Sequence, residues 1–216
     1  MQKSDWRSWL ARHREQSSMR AEVVPISQVG DWQVLVDESG QAVSVGRADK
    51  KFHEAVTVRV SNARREVPDY STLLFREATK PGEEGVMVLV GDGQGNFLIQ
   101  AKAEPGNDTE GKVLLAATLQ VSRANLGQAH GGSIPPRAEL FGQVDPARWC
   151  LIRADGARFL SKRNLFAVAI VDRGEFETNE SERWFTDAEL CEALQDGEVG
   201  ELLAHAWLAA LKMPRV

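Results

Sequence analysis

Residues 97–108 read FLIQAKAEPGND, and within them Gln100, Lys102 and Glu104 fall on alternate positions. Side chains two apart on a strand point the same way, so an amide, an ammonium and a carboxylate share one face, closed off by a Pro-Gly-Asn turn that ends at Asn107. The next strong run, KVLLAATLQVSRAN over 112–125, carries Thr118, Gln120 and Ser122 on a second alternating polar face, with Arg123 and Asn125 following on the same strand and His130 beyond. If that run pairs back onto 97–104, the two polar faces adjoin. A solvated sheet face accounts for such residues cheaply. Local context points the other way: Phe97, Ile99 and Ala101 make the opposite face apolar, and rigid turns (AEPGN, AHGG) follow the polar strands and position their side chains. Glu and His suit acid and base work, because burial or a neighbouring charge moves either toward neutral pH.

The elements that must hold these residues read as α+β. Trp6, Trp9, Leu10 and His13 recur at helical spacing, which predicts an amphipathic helix over 5–18 whose Trp face covers either its own core or a second subunit. After Pro25 come short β-type runs: WQVLVD, the turn ESGQ, AVSVG and AVTVRV. VMVLV (86–90) and NFLIQAKAE (96–104) flank GDGQG, a hairpin connection rather than a phosphate cradle, since a cradle needs a helix to follow. WCLIRAD and LFAVAIVD read as two more strands around the loop GARFLSKRN. Thr186 and Glu189 form a capping box that opens a helix from 187 to about 195, stopped at Gly197. VGELLAHAWLAALK closes the chain as a helix with Leu202, Leu203, Ala206 and Leu211 on its stripe. Helix, many strands, two helices, without βαβ alternation, describes a mixed or antiparallel sheet domain with flanking helices. A single domain over 1–216 is expected, with its sheet core at 30–172 and its C-terminal helices at 186–212.

Composition narrows the partners. The chain has 216 residues, 43% of them hydrophobic, enough for one substantial core. Its net charge is -5 with both signs interleaved, which offers no footprint for nucleic acid and no patch for a membrane surface. The charged N-terminal stretch lacks an apolar centre, and no run of about 18 apolar residues occurs, so neither export nor membrane spanning is expected. Cys150 and Cys191 lack metal-ligand spacing and read as reduced, packed thiols of a cytoplasmic protein. His13 and His205 have no partner at ligand spacing and read as boundary residues, whereas His53 stays open.

The string QAKAEPGN (100–107), followed by LQVSRANL and then HGG, resembles the signature of the NDP-hexose 2,3-dehydratases, in which a QAK-x-EPGN segment precedes a TVQ-x-T-x-SNY segment and an HGG. REVPDY, DGARFLSKRN and RWFTDAEL are similar to that family's REV-x-x-W, G-x-RF-x-x-K-x-N and RW-L-T segments. The resemblance runs in order from about residue 53 to residue 195.

What the resemblance implies is a Nudix-like fold and the dehydration of a dTDP-linked 4-keto-6-deoxyhexose to a 3,4-diketo-2,6-dideoxyhexose in deoxysugar biosynthesis, with no cofactor and no metal. A ketone at carbon 4 acidifies the hydrogen on carbon 3, a base removes it, and the carbon 2 hydroxyl leaves with help from an acid. On this reading Glu104 and His130 move protons, while Lys102 or Gln100 holds the enolate. Arg123 beside Asn125 meets the diphosphate, with Arg65 and Arg163 behind it. Tyr70, where the family has Trp, stacks on the base. Asn107 and Gln120 complete the substrate-binding set. A 3-ketoreductase would follow in sequence. QAK-x-EPGN occurs once here although the family carries two tandem units, which implies a homodimer in place of the pair. Ala124 and Leu126 depart from the family's Ser and aromatic, which bears on the substrate. Two other readings stand beside this one: a nucleotide-sugar binding module without turnover, and a Nudix-type phosphohydrolase, for which the carboxylate-rich metal-binding helix is missing.

Overall fold

The computed structural model describes residues 5–49, 53–61, 69–77, 84–107, 112–128, 133–145, 148–153 and 158–211. Helix α1 spans Trp6–Gln16 and is capped by Asp5, whose carboxylate accepts from the Arg7 N–H. Trp6, Trp9 and Leu10 are buried, and both indoles pack against Phe185, with ring centroids 6.3 and 5.9 Å away. The Trp face therefore covers the chain's own core.

Four strands form an antiparallel meander: β1 (Trp32–Val36), β2 (Ala42–Arg47), β3 (His53–Ser61) and β4 (Asp69–Glu77). The β1–β2 turn is fixed by the Asp37 carboxylate, which accepts from the Ser39 and Gln41 N–H groups, and by Gly40 at φ 81. Val34, Val45, Ala55 and Phe75 are successive register partners and so line one face. Strand β4 was not evident from alternation, because DYSTLLFRE mixes polar and apolar residues irregularly.

The second sheet has seven strands: β5 (Gly85–Gly91), β6 (Asn96–Ala103), β7 (Val113–Ala117), β8 (Leu119–Val121), β9 (Cys150–Arg153), β10 (Arg163–Ile170) and β11 (Glu182–Thr186). Its order is β11-β6-β5-β10-β9, with β7 on β6 and β8 on β5; β10 runs parallel to β5 and every other pair is antiparallel. The continuous apolar run of β5 marks a strand covered on both faces, and all its residues are buried. Met87 and Leu89 face one core with Trp6, Trp9 and Phe166, while Val86, Val88 and Val90 face another with Leu140 and Ala167.

Two helical turns, α2 (Arg123–Leu126) and α3 (Leu140–Gln143), precede β9, and two longer helices, α4 (Asp187–Gln195) and α5 (Glu201–Ala210), close the fold. The capping box at Thr186 and Glu189 forms as the sequence predicts, and Gly197 sits at φ 73 past the end of α4. In α5 the buried residues are Leu203, Ala206 and Trp207; Leu211, expected on that stripe, is 44% exposed just past the last helical turn. The mixed α+β class holds. Strand β4 bonds to the segment between β9 and β10: Phe75 N–H donates to the Arg158 carbonyl and Leu160 N–H donates to the Phe75 carbonyl, each at 2.8 Å. Cys150 and Cys191 are both free and exposed, not packed: Cys150 lies on the edge strand β9 and Cys191 on the outer side of α4.

Candidate functional site

Strands β5 and β6 pair at Val90↔Leu98 and Gly91↔Phe97 and then diverge. The chain from Val113 to Val121 fills the gap, with β7 bonding to β6 and β8 bonding to β5. At the crotch of this fork lies Thr118, 1% exposed, whose hydroxyl accepts the Val90 N–H at 3.0 Å and donates to the Leu98 carbonyl. The single strand expected over 112–125 is thus broken at Thr118. Its hydroxyl replaces a ladder bond that the two diverging strands can no longer make.

The alternating row on β6 now has defined partners. Gln100 Nε2 donates to the Ala117 carbonyl at 2.6 Å and the Thr118 carbonyl at 3.3 Å, and Lys102 Nζ donates to the Gln120 carbonyl at 2.8 Å. Lys102 Nζ also lies 2.8 Å from Glu104, which accepts from Gln120 Nε2 at 3.4 Å. The two polar faces adjoin, as the spacing suggested. Asn107 closes the turn after β6: its amide donates to the Lys102 carbonyl at 3.3 Å and the Lys112 carbonyl at 2.7 Å.

At the open end of the fork is a cleft of about 200 Å3. It is lined by Lys102, Glu104 and Gln120, by Ser122 and Asn125, and by Gly85 and Met87 of β5. His53 from β3 and Lys162 and Asn164 at the start of β10 complete it. Asn125 reaches the cleft from a helical turn and not from a strand, because the Ser122 hydroxyl caps that turn by accepting the Asn125 N–H. Arg123, on the same turn, stacks on Phe141 at 4.5 Å. Arg163 pairs with Glu84 at 2.9 Å. Tyr70 stands on β4 opposite Val60. None of these three lines the cleft. His130 and Arg65 lie outside the described residues.

Lys162 and Asn164 were missed by reading, and a signal existed. Extended residues alternate, so in the segment KRN the first and third share a face that the middle arginine leaves. Lys162 also stands over the Phe159 ring at 4.8 Å.

A larger hollow of about 260 Å3 lies beside β11, where Arg173 stacks on Trp184 at 5.3 Å. Its carboxylates are already committed, Glu182 to Arg137 and Glu189 to Arg183. Burial pushes the Glu189 carboxyl up, but the Thr186 N–H and the Arg183 guanidinium outweigh it and hold the group below the usual carboxylate range. Among the described residues no three His, Cys, Asp or Glu side chains converge as metal ligands, and no helix is long and apolar enough to cross a membrane.

The structure is thus a mixed α+β protein whose forked sheet gathers an ammonium–carboxylate pair and the amides of Gln120, Asn125 and Asn164 around one small cleft. More closely, the chain belongs to the NDP-hexose 2,3-dehydratase family, whose model matches residues 3–211. It is similar to the dTDP-4-dehydro-6-deoxy-alpha-D-glucopyranose 2,3-dehydratase of Amycolatopsis orientalis, at 26% identity over 98% of this chain and 45% of the relative. Proteins of the same name from Saccharopolyspora spinosa (28% identity, 74% of this chain, 32% of the relative) and Streptomyces violaceoruber (27%, 93% and 43%) are also similar. The chain spans less than half the length of these relatives.

Proposed function

We infer that this chain dehydrates a dTDP-linked 4-keto-6-deoxyhexose across carbons 2 and 3. The observation that carries the reading is the Glu104 carboxylate, held by Lys102 and Gln120 at the mouth of a sugar-sized cleft. A base takes the carbon 3 proton, the electron pair moves through the enolate, the carbon 2–oxygen bond breaks, and an acid delivers the proton that makes the leaving hydroxide water. The enol then takes a proton at carbon 2 and gives up the proton of its carbon 3 hydroxyl, becoming the 3,4-diketo-2,6-dideoxy sugar. Glu104 and His130 are assigned the proton transfers, and Lys102, 2.8 Å from Glu104, holds the carboxylate in place. A cleft of about 200 Å3 falls below the roughly 300 Å3 at which drug-sized pockets begin, so it takes the hexose while the nucleotide lies outside.

The proposal extends to a homodimer, a Nudix-like fold, a cytoplasmic location and a 3-ketoreductase acting on the product. The exposed apolar row of the smaller sheet, with Val34 at 52%, Leu73 at 66% and Phe75 at 47%, supports a self-contact, which sedimentation would detect. The mixed sheet with flanking helices supports the fold assignment. Two exposed free thiols fit a reducing compartment.

The test is proton NMR in deuterium oxide with dTDP-4-keto-6-deoxyglucose and a chelator. Loss of the carbon 2 hydroxyl with deuterium entering at carbon 2 is expected. An unchanged sugar with broadened nucleotide signals would favour a binding module without turnover.

A further inference from the structure

Asn164 enters the cleft 4% exposed, yet its buried Nδ2 meets no hydrogen-bond partner. Buried amide donors are almost always bonded, and an orphan calls for a cause such as a missing ligand atom. A second observation comes from the neighbouring strand. Gly85 is the register partner of Asn164, and a Cβ at position 85 would stand 2.3 Å from Asn164 Oδ1. The amide therefore lies over Gly85 in space that any side chain there would fill. Three other polar side chains of the cleft are already committed: Lys102 to Glu104 and the Gln120 carbonyl, and Gln120 to Glu104.

The geometry points to Asn164 as the donor that takes the carbonyl oxygen of the sugar. Its terminal torsion is broad and its amide nitrogen and oxygen exchange places by a half-turn, so the side chain can offer its N–H groups to an oxygen in the cleft. There the amide hydrogen-bonds the ketone oxygen at carbon 4 and stabilises the negative charge that gathers on it as the carbon 3 proton departs. The charge returns to form the carbonyl when the carbon 2–oxygen bond breaks, so the amide gains and loses no proton. This assignment rests on the dehydratase reading.

The experiment compares wild type, Asn164→Ala and Gly85→Ala by carbon 3 exchange, dTDP affinity and melting temperature, with the side-chain amide of Asn164 followed by nitrogen-15 NMR. Removing one such donor is expected to slow exchange by about 100- to 1,000-fold through kcat, with dTDP affinity and the shape of the pH profile unchanged and Tm not lowered. Gly85→Ala displaces the amide and should slow exchange in the same way. Exchange at the wild-type rate in Asn164→Ala, or a loss that tracks a fall in Tm and dTDP affinity together, overturns the assignment. If wild type itself leaves the sugar unchanged, the dehydratase reading fails and the amide resonance decides: a shift with the ketosugar nucleotide but not with dTDP keeps Asn164 as an oxygen-binding donor, and no shift removes it too.

Discussion

The Lys102 ammonium stands 2.8 Å from the Glu104 carboxylate and also 2.8 Å from the Gln120 carbonyl, tying an acid–base candidate to the backbone of the fork. Glu104 is 41% exposed at the side chain, so the pair contributes little to stability and its value lies in orientation. Glu104→Gln keeps the shape and removes the base. Carbon 3 exchange is expected to fall by roughly 100- to 10,000-fold while dTDP still binds, read by NMR and calorimetry. Equal exchange in the variant would remove Glu104 from the proton pathway.

Thr118 holds the fork shut from within. Thr118→Val is nearly isosteric but leaves the Val90 N–H and the Leu98 carbonyl unsatisfied in a site that is 1% exposed. A loss of about 2–4 kcal/mol is expected in urea unfolding. Thr118→Ser, which keeps the hydroxyl, should lose much less. If both variants lose the same amount, packing and not the hydrogen bonds sets the cost.

The alternating row of Gln100, Lys102 and Glu104 was legible because a two-residue period fixes a face wherever the opposite face is apolar. The capping box and the Trp stripe of α1 were legible for a similar reason: each is a local pattern with a local partner. The fork was not. KVLLAATLQV reads as one unbroken strand, and nothing local says that the Thr118 side chain takes the place of a backbone bond between strands Val90 and Leu98 belong to. Arg123 and Arg163 carry the charge that a diphosphate needs, yet each finds a nearer partner in Phe141 or Glu84, which tertiary structure alone supplies. Asn164 ends the segment similar to G-x-RF-x-x-K-x-N and alternates with Lys162, but its burial and its orphaned nitrogen are supplied by tertiary structure alone.

Arg137 and Glu182 form a bidentate pair at 2.8 and 2.6 Å, with the carboxylate 2% exposed and also accepting from the Asn179 N–H at 3.1 Å. Hydrogen bonding to Glu182 outweighs burial and holds the Arg137 guanidinium more firmly protonated than usual. Arg137→Ala strands a buried charge, and a loss of about 3–5 kcal/mol is expected. Arg137→Met with Glu182→Leu removes both charges and should lose less than Arg137→Ala alone. A double-mutant cycle by chemical denaturation reads the difference, and a double variant at least as unstable as the single one would mean that the pair is net stabilising.

The capping box ties stability to pH in a direction that can be checked. Glu189 accepts from the Thr186 N–H at 2.9 Å and from Arg183 at 2.7 Å, and its carboxyl is held below the usual range despite burial. A depressed carboxylate contributes its full stabilisation above the unfolded value, about pH 4.3, and loses it as pH falls through the lower folded value. Glu189→Gln should therefore be less stable than wild type at neutral pH, and the gap should close on acidification. Thr186→Ala, which removes the other half of the box, is expected to cost about 1 kcal/mol at neutral pH. Helix α4 is also pinned by Trp207 Nε1, which donates to Asp187 at 2.8 Å and so joins α4 to α5. The helix should accordingly keep its place when the box is cut, and the pH dependence of melting, rather than loss of helix by circular dichroism, is the signal to follow. A gap between wild type and Glu189→Gln that stays constant down to about pH 3 would assign the box's contribution to neutral hydrogen bonds alone.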